Sequence, residues 1–194
     1  MSTLTAPTAA TLTYEAYMAE PETEGRYDIV QGVRIFMPGA SLRHQRIADS
    51  IGRSLYAFER QSGLGISVTA PFDVLIRRTP RMQTRQPDVL FVSFARLARV
   101  GGIPEVRTLE VAPELVVEVI SDSETRRILG DKIADYVFIG VDECWVVRPD
   151  ERTVEVLTLT AEGARSVRVY GDGESVSSVV FPALSVPVAD VLAP

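Results

Sequence analysis

Residues 113–136 read PELVVEVISDSETRRILGDKIADY, and the change of pattern inside this stretch decides the fold. Its first half, Leu115-Val116-Val117-Glu118-Val119-Ile120, is almost continuously apolar and β-branched, the composition of a strand covered on both faces. A carboxylate interrupts it at the centre. An ionised carboxylate taken out of water is costly, so Glu118 requires a cation, a proton or a metal beside it. After Ser121-Asp122-Ser123 the pattern becomes that of a helix, stopped by Gly140, and this helix carries Lys132. Of the 20 basic residues 19 are arginine, which leaves Lys132 as the one lysine of the sequence. Lysine is a compact charge whose proton can be tuned, whereas guanidinium is a broad fork that stays charged.

Upstream, residues 13–19 suit a short helix with Thr13 as its N-cap, and residues 1–12 a disordered lead-in. Residues 26–37 read as a β-hairpin turning at Gln31-Gly32. The pattern from Ser41 to Ser62 is the longest helical one, with Ile47, Ile51, Leu55 and Phe58 near helical spacing and Gly63 beyond its end. Strands are expected over residues 65–69, 72–76 and 86–92, the second containing Asp73 and the third entered through Pro87 and Asp88. The arginine-rich residues between the last two read as a polar loop. Downstream, residues 144–147, 153–159 and 166–170 suit a meander, followed by a weak strand at 176–181. The fold class is therefore a mixed α/β (α+β) architecture: a central mixed sheet flanked by helices, with an additional antiparallel hairpin and meander. Neither a repeat nor a domain boundary is visible, so residues 13–194 are expected to form a single domain.

Composition narrows the function. With 194 residues and 46% hydrophobic content the chain can build a core without staples. The single cysteine, Cys144, allows no disulfide framework, and the N-terminus lacks the basic and apolar regions of a signal peptide. No apolar run approaches a membrane span, so a cytoplasmic protein with no membrane partner is expected. The net charge of -6 argues against a polyanion binder that works by bulk charge. It leaves room for a local phosphate-contacting patch at Arg77, Arg78, Arg81 and Arg85, or for those arginines to be solvated surface charges. Phosphate-binding glycine loops, a Cys/His zinc set and a GxSxG elbow are all absent.

Carboxylates and one lysine remain. Asp88 at a strand start and Glu118 in a buried strand can hold one or two hard divalent cations, with Mg²⁺ or Mn²⁺ expected, and Lys132 can orient or deprotonate an attacking water. The plainer alternative is a buried Glu118–Lys132 ion pair that fastens helix to strand. His44 reads either as a capping residue at the start of the long helix or as part of a site.

Several segments taken in order, Tyr27-Asp28-Ile29-Val30-Gln31-Gly32, Arg43-His44-Gln45-Arg46-Ile47, Ala70-Pro71-Phe72-Asp73-Val74, Gln86-Pro87-Asp88, residues 113–121, Gly130-Asp131-Lys132 with Tyr136, and Cys144-Trp145-Val146-Val147, resemble the Uma-two type of restriction-endonuclease-like proteins. That family is similar to the PD-(D/E)XK nucleases. The resemblance implies a restriction-endonuclease-like core and metal-dependent cleavage of nucleic acid, DNA foremost. It implies Asp88 and Glu118 as metal-binding carboxylates and Lys132 as the catalytic lysine. The superfamily pattern would put its lysine at Ile120, and the resemblance moves that role to Lys132 on the next helix. Asp28, standing where the family has glutamate, together with Asp73, His44 and Gln45, is an accessory candidate. A homodimer is the expected form for cutting two strands. The alternative is a catalytically inactive nuclease-fold module that acts in binding or assembly.

Overall fold

The computed structural model describes residues 11–21, 25–103, 107–121 and 125–192. In chain order the elements are α1 (Tyr14–Ala19), β1 (Tyr27–Val30), β2 (Val33–Phe36), α2 (Leu42–Ser62), β3 (Gly65–Thr69), β4 (Asp73–Arg77), β5 (Gln83–Arg85) and β6 (Val89–Ser93). Then come α3 (Phe94–Leu97), β7 (Thr108–Leu109), β8 (Leu115–Val119), α4 (Arg126–Ile139), β9 (Glu143–Arg148), β10 (Thr153–Thr160), β11 (Gly163–Tyr170), β12 (Ser175–Ser177), β13 (Ser185–Pro187) and α5 (Val188–Val191).

The central sheet has six strands in the order β11-β10-β9-β8-β6-β3. It is mixed, because β8 and β9 run parallel while β6 and β8 run antiparallel. The apolar run of residues 115–119 is continuous because both faces of β8 are covered. Leu115, Val117 and Val119 join Ile47, Ile51, Leu55 and Phe58 of α2 in one core, and Val116 joins Tyr136 of α4 in another. Side chains alternate along a strand, so Glu118 shares the face of Val116 and lies under α4.

Both helices that frame the site are bounded as their sequences dictate. Ser41 caps α2 by accepting the His44 N–H at 3.2 Å, and Gly63 ends it with φ 62°. Thr125 caps α4 in the same way at Ile128, and Gly140 ends it at φ 85°. The expected helix opening at residues 122–124 lies outside the described residues.

Four expectations change. The hairpin β1–β2 belongs to a second, five-stranded sheet, β2-β1-β5-β4-β7. Its middle strand, β5, lies in what reads as a polar loop. Gln83, Thr84 and Arg85 are polar yet buried, because carboxylates rather than water satisfy Gln83 and Arg85. Leu12, expected in the lead-in, belongs to the fold: its N–H donates to Gly32 O at 2.9 Å, and it packs on the cluster of Tyr17, Tyr27, Ile29 and Met82. Residues 1–10 lie outside the described ones. Finally, the strand expected at 176–181 stops at Ser177, where the chain turns because Val179 and Val180 donate their N–H groups to the buried Glu143 carboxylate.

Candidate active site

Val89 pairs with Val117 at the end of the antiparallel β6–β8 ladder, and Asp88 is the bend residue just before β6, beside the segment of β8 that carries Glu118. Asp88 N donates to Val117 O at 3.0 Å, and Asp88 Oδ2 accepts the Val119 N–H at 2.6 Å. The aspartate is thereby locked against the backbone on either side of Glu118.

Glu118 is wholly buried. Its Oε2 lies 2.7 Å from Lys132 Nζ, and its Oε1 accepts from the Tyr136 hydroxyl at 2.5 Å. Lys132 and Tyr136 are four residues apart on α4 and so face the strand together. Burial, then Glu118, pushes the Tyr136 hydroxyl well above the ordinary tyrosine value, so it remains a proton donor to the carboxylate.

Asp88 Oδ1 lies 2.5 Å from Arg26 Nη1 as an ion pair that lacks hydrogen-bond alignment, and its Oδ2 lies 3.4 Å from His44 Nε2. Burial alone would raise the Asp88 carboxyl. The His44 hydrogen bond and the Arg26 charge, with the Val119 N–H, outweigh it and hold the group below the ordinary aspartate value. The hydrogen bond to Asp88 correspondingly raises His44, against the opposing effect of burial. These side chains open onto a cavity of about 560 Å³ lined by Arg26, His44, Asp88, Ser121 and Lys132 on one wall and by Ile35, Phe36 and Met37 on another. Glu118 lies behind this lining.

The Asp88 and Glu118 carboxylates suit a hard cation such as Mg²⁺, which takes one or two carboxylates and keeps several waters. Asp88 Oδ1 is buried, meets Arg26 only as an ion pair and accepts no aligned hydrogen bond, so it is the oxygen that such an ion would take in place of Arg26. Among the described residues no set of three or more His, Cys, Asp and Glu side chains converges as a ligand cage. The fit is therefore to a water-retaining ion and not to an all-protein site.

A family model described as "Putative restriction endonuclease", Uma2, matches residues 13–189. The chain belongs to the Uma2 family. Among curated proteins, none matches it. A crystal structure titled as a putative nuclease belonging to DUF820 from Anabaena variabilis is similar over 94% of this chain and 98% of that one, with a TM-score of 0.75 at 18% identity. It shares the fold, as the mixed sheet flanked by helices requires.

Within this Uma2 protein the structure brings Asp88, Glu118, Lys132 and His44 together. The other expected residues lie elsewhere. Asp28 is buried and ion-paired to Arg85 at 2.8 Å, and Arg85 also pairs with Asp135 of α4 at 2.7 Å, so this network ties the hairpin and β5 to the helix. Arg85 is thus removed from the surface where a phosphate contact was expected, because its charge is consumed by two carboxylates. Asp73 accepts from Tyr17 and from Gln86 Nε2 at 3.2 Å, away from the cavity lining, and its burial raises its carboxyl above the ordinary value. Gln45 is solvent-exposed and does not line the cavity. Arg77 stacks on the Phe138 ring and Arg78 pairs with Glu110 at 2.8 Å, while Arg81 is exposed; none of the three lines the cavity. The arginines that do are Arg26 and Arg43. Nothing in the sequence distinguishes them from the other 17, since their position depends on the β1–β2 hairpin docking beside α2. No described helix is long and apolar enough to cross a membrane.

Proposed function

We propose that this Uma2 chain is a metal-dependent nuclease that hydrolyses phosphodiester bonds, with DNA as substrate and Mg²⁺ or Mn²⁺ as cofactor. The observation that carries this reading is Asp88 Oδ2 held at 2.6 Å by the N–H of Val119, the residue next to Glu118, with Lys132 Nζ at 2.7 Å from Glu118 and both Asp88 and Lys132 lining one cavity. When bound, the ion would supply Lewis-acid stabilisation of the phosphoryl oxygens and a more acidic water. Asp88 and Glu118 would hold it. Lys132, kept at its carboxylate by Glu118, is positioned to orient the attacking water or to stabilise charge on the phosphate. Tyr136 fixes the other oxygen of Glu118, so the carboxylate cannot rotate away from Lys132. Arg26 neutralises Asp88 in the resting site and is a cavity-lining cation that a phosphate could recruit.

The same network favours a second reading, a binding module without catalysis, because the two acidic groups already have cationic partners in Arg26 and Lys132. Supercoiled plasmid and single-stranded DNA, incubated with Mg²⁺ or Mn²⁺, separate the two. Wild type should nick or degrade DNA, and Asp88→Ala and Lys132→Ala should not. Failure of wild type with both metals, or full activity of both variants, would refute catalysis at this site. A homodimer belongs to this reading only if the substrate is a duplex, because two strands then require two sites.

A further inference from the structure

The cavity has two chemically different walls. One is cationic and polar, with Arg26, Lys132 and His44 around Asp88. The other is the edge strand β2 and the residues after it, where Ile35 and Phe36 are 47% and 59% exposed. An exposed phenylalanine is usually loosely held, but this one is fixed from behind. Phe36 stands opposite Tyr27 in the hairpin register, and their rings meet edge to face at 5.7 Å and 65°. The ring also lies over Gly25, where an added Cβ would come within 3.9 Å of it. Phe36 thus lines the cavity while Tyr27 and Gly25 pack against its ring.

The surroundings do not suit a duplex. A protein that tracks double-stranded DNA neutralises several phosphates in a row, and this chain carries a net charge of -6. Of its mouth arginines, Arg43 pairs with Asp150 at 2.6 Å and Arg26 with Asp88, whereas Arg77 and Arg78 are engaged away from the cavity. A space of about 560 Å³ lined by Arg26 and Lys132 as well as by Ile35, Phe36 and Met37 offers partners to both ends of a single nucleotide, phosphate and base. Stacking of bases on aromatic side chains is the general means of holding unpaired strands.

Resting on the assignment of this cavity as a nucleic-acid site, we propose that its substrate is an unpaired nucleotide of a single-stranded or frayed segment, with the base stacked on Phe36 and the adjoining phosphate at Arg26 and Lys132. A base held in a duplex does not reach Phe36 without leaving its stack.

The test is a fluorescence titration of wild type, Phe36→Leu and Val33→Ala with an oligonucleotide containing 2-aminopurine, single-stranded or annealed to its complement, in EDTA so that no cleavage intervenes. Leucine keeps apolar bulk without a ring face, and Val33 is an exposed neighbour on the same strand outside the cavity lining. Wild type and Val33→Ala should quench the single strand and bind it at least tenfold more tightly than the duplex. Phe36→Leu should lose the quenching and about tenfold in affinity. Equal affinity for duplex and single strand, or a Phe36→Leu protein that quenches like wild type, would overturn the proposal. So would a wild-type dimer in sedimentation that Phe36→Leu dissociates, since β2 would then be an interface between chains. Cleavage assays of the same oligonucleotides with Mn²⁺ keep the two ideas apart. Stacking without cleavage removes the nuclease reading and leaves the nucleotide site, while cleavage of the duplex in preference to the single strand removes the nucleotide site and leaves the nuclease.

Discussion

Glu118 and Glu143 are both wholly buried, on the neighbouring parallel strands β8 and β9, yet their partners differ in kind. Glu143 is surrounded by neutral donors: Trp145 Nε1–H, the Ser178 hydroxyl, and the N–H groups of Val179 and Val180 at 2.7 and 2.9 Å. These satisfy the carboxylate in place and bind the C-terminal segment to the sheet. Glu118 instead has an ammonium and a phenol, Lys132 and Tyr136, on its side of the sheet, next to a second carboxylate and a cavity. A buried acid held by fixed neutral dipoles has no reason to change partners. One held by an ammonium beside a cavity can share that position with a metal ion, and the ammonium can meet a phosphate from the cavity side, which separates a structural carboxylate from a chemical one.

Substitution should break the comparison most sharply in kcat. Glu118→Gln is expected to lower DNA cleavage by about 10² to 10⁴-fold, the range for a group acting directly on the reacting centre, whereas Glu143→Gln should leave kcat unchanged. Lys132→Met should lose about 10²-fold in kcat through the same site, as read by single-turnover cleavage with Mn²⁺. Stability should rank the pair differently. Glu143→Ala strips several buried N–H groups of their acceptor and should cost about 3 kcal/mol in urea unfolding, with faster hydrogen exchange around residues 176–188. Removing only the Tyr136 hydroxyl with Tyr136→Phe should cost about 1 to 2 kcal/mol and reduce kcat modestly, by freeing one oxygen of Glu118.

Asp73 sharpens the comparison with the smallest expected effect. Its carboxyl is raised above the ordinary 3.8 by burial, so the folded state holds its proton to higher pH than the unfolded chain does. The sign follows: stability is highest below the ordinary value and falls as pH rises through the raised one. Asp73→Asn should remove that part of the fall, giving a flatter Tm against pH profile on the acid side than wild type. An unchanged slope would mean that Asp73 titrates normally.

Much of this architecture is legible locally. The β8 run, the caps at Ser41 and Thr13, the Gln31-Gly32 turn with φ of 53° and 77°, and the left-handed stops at Gly63 and Gly140 all depend on residues within a few positions of one another. Strand β5 was hidden because its polar residues are satisfied by Asp28 and Asp135, which are more than 45 residues away. Arg85 was misplaced for the same reason. Arg26 and Arg43 could not be chosen from 19 arginines, because charge in a sequence carries no address.

By itself, the sequence determined that a carboxylate would be buried in a strand and that a lone lysine would follow it on a helix. It also determined, through its ordered motifs, the Uma2 membership. Only the tertiary structure decided which groups meet. Glu118 faces α4 because β8 alternates under it, Asp88 is held where the β6–β8 ladder ends, and Phe36 of the hairpin lines the same cavity as Arg43 and His44 of α2. Local patterns are set by short-range sterics and periodicity, whereas the convergence of these side chains depends on strand register and sheet order, which no short window of residues contains.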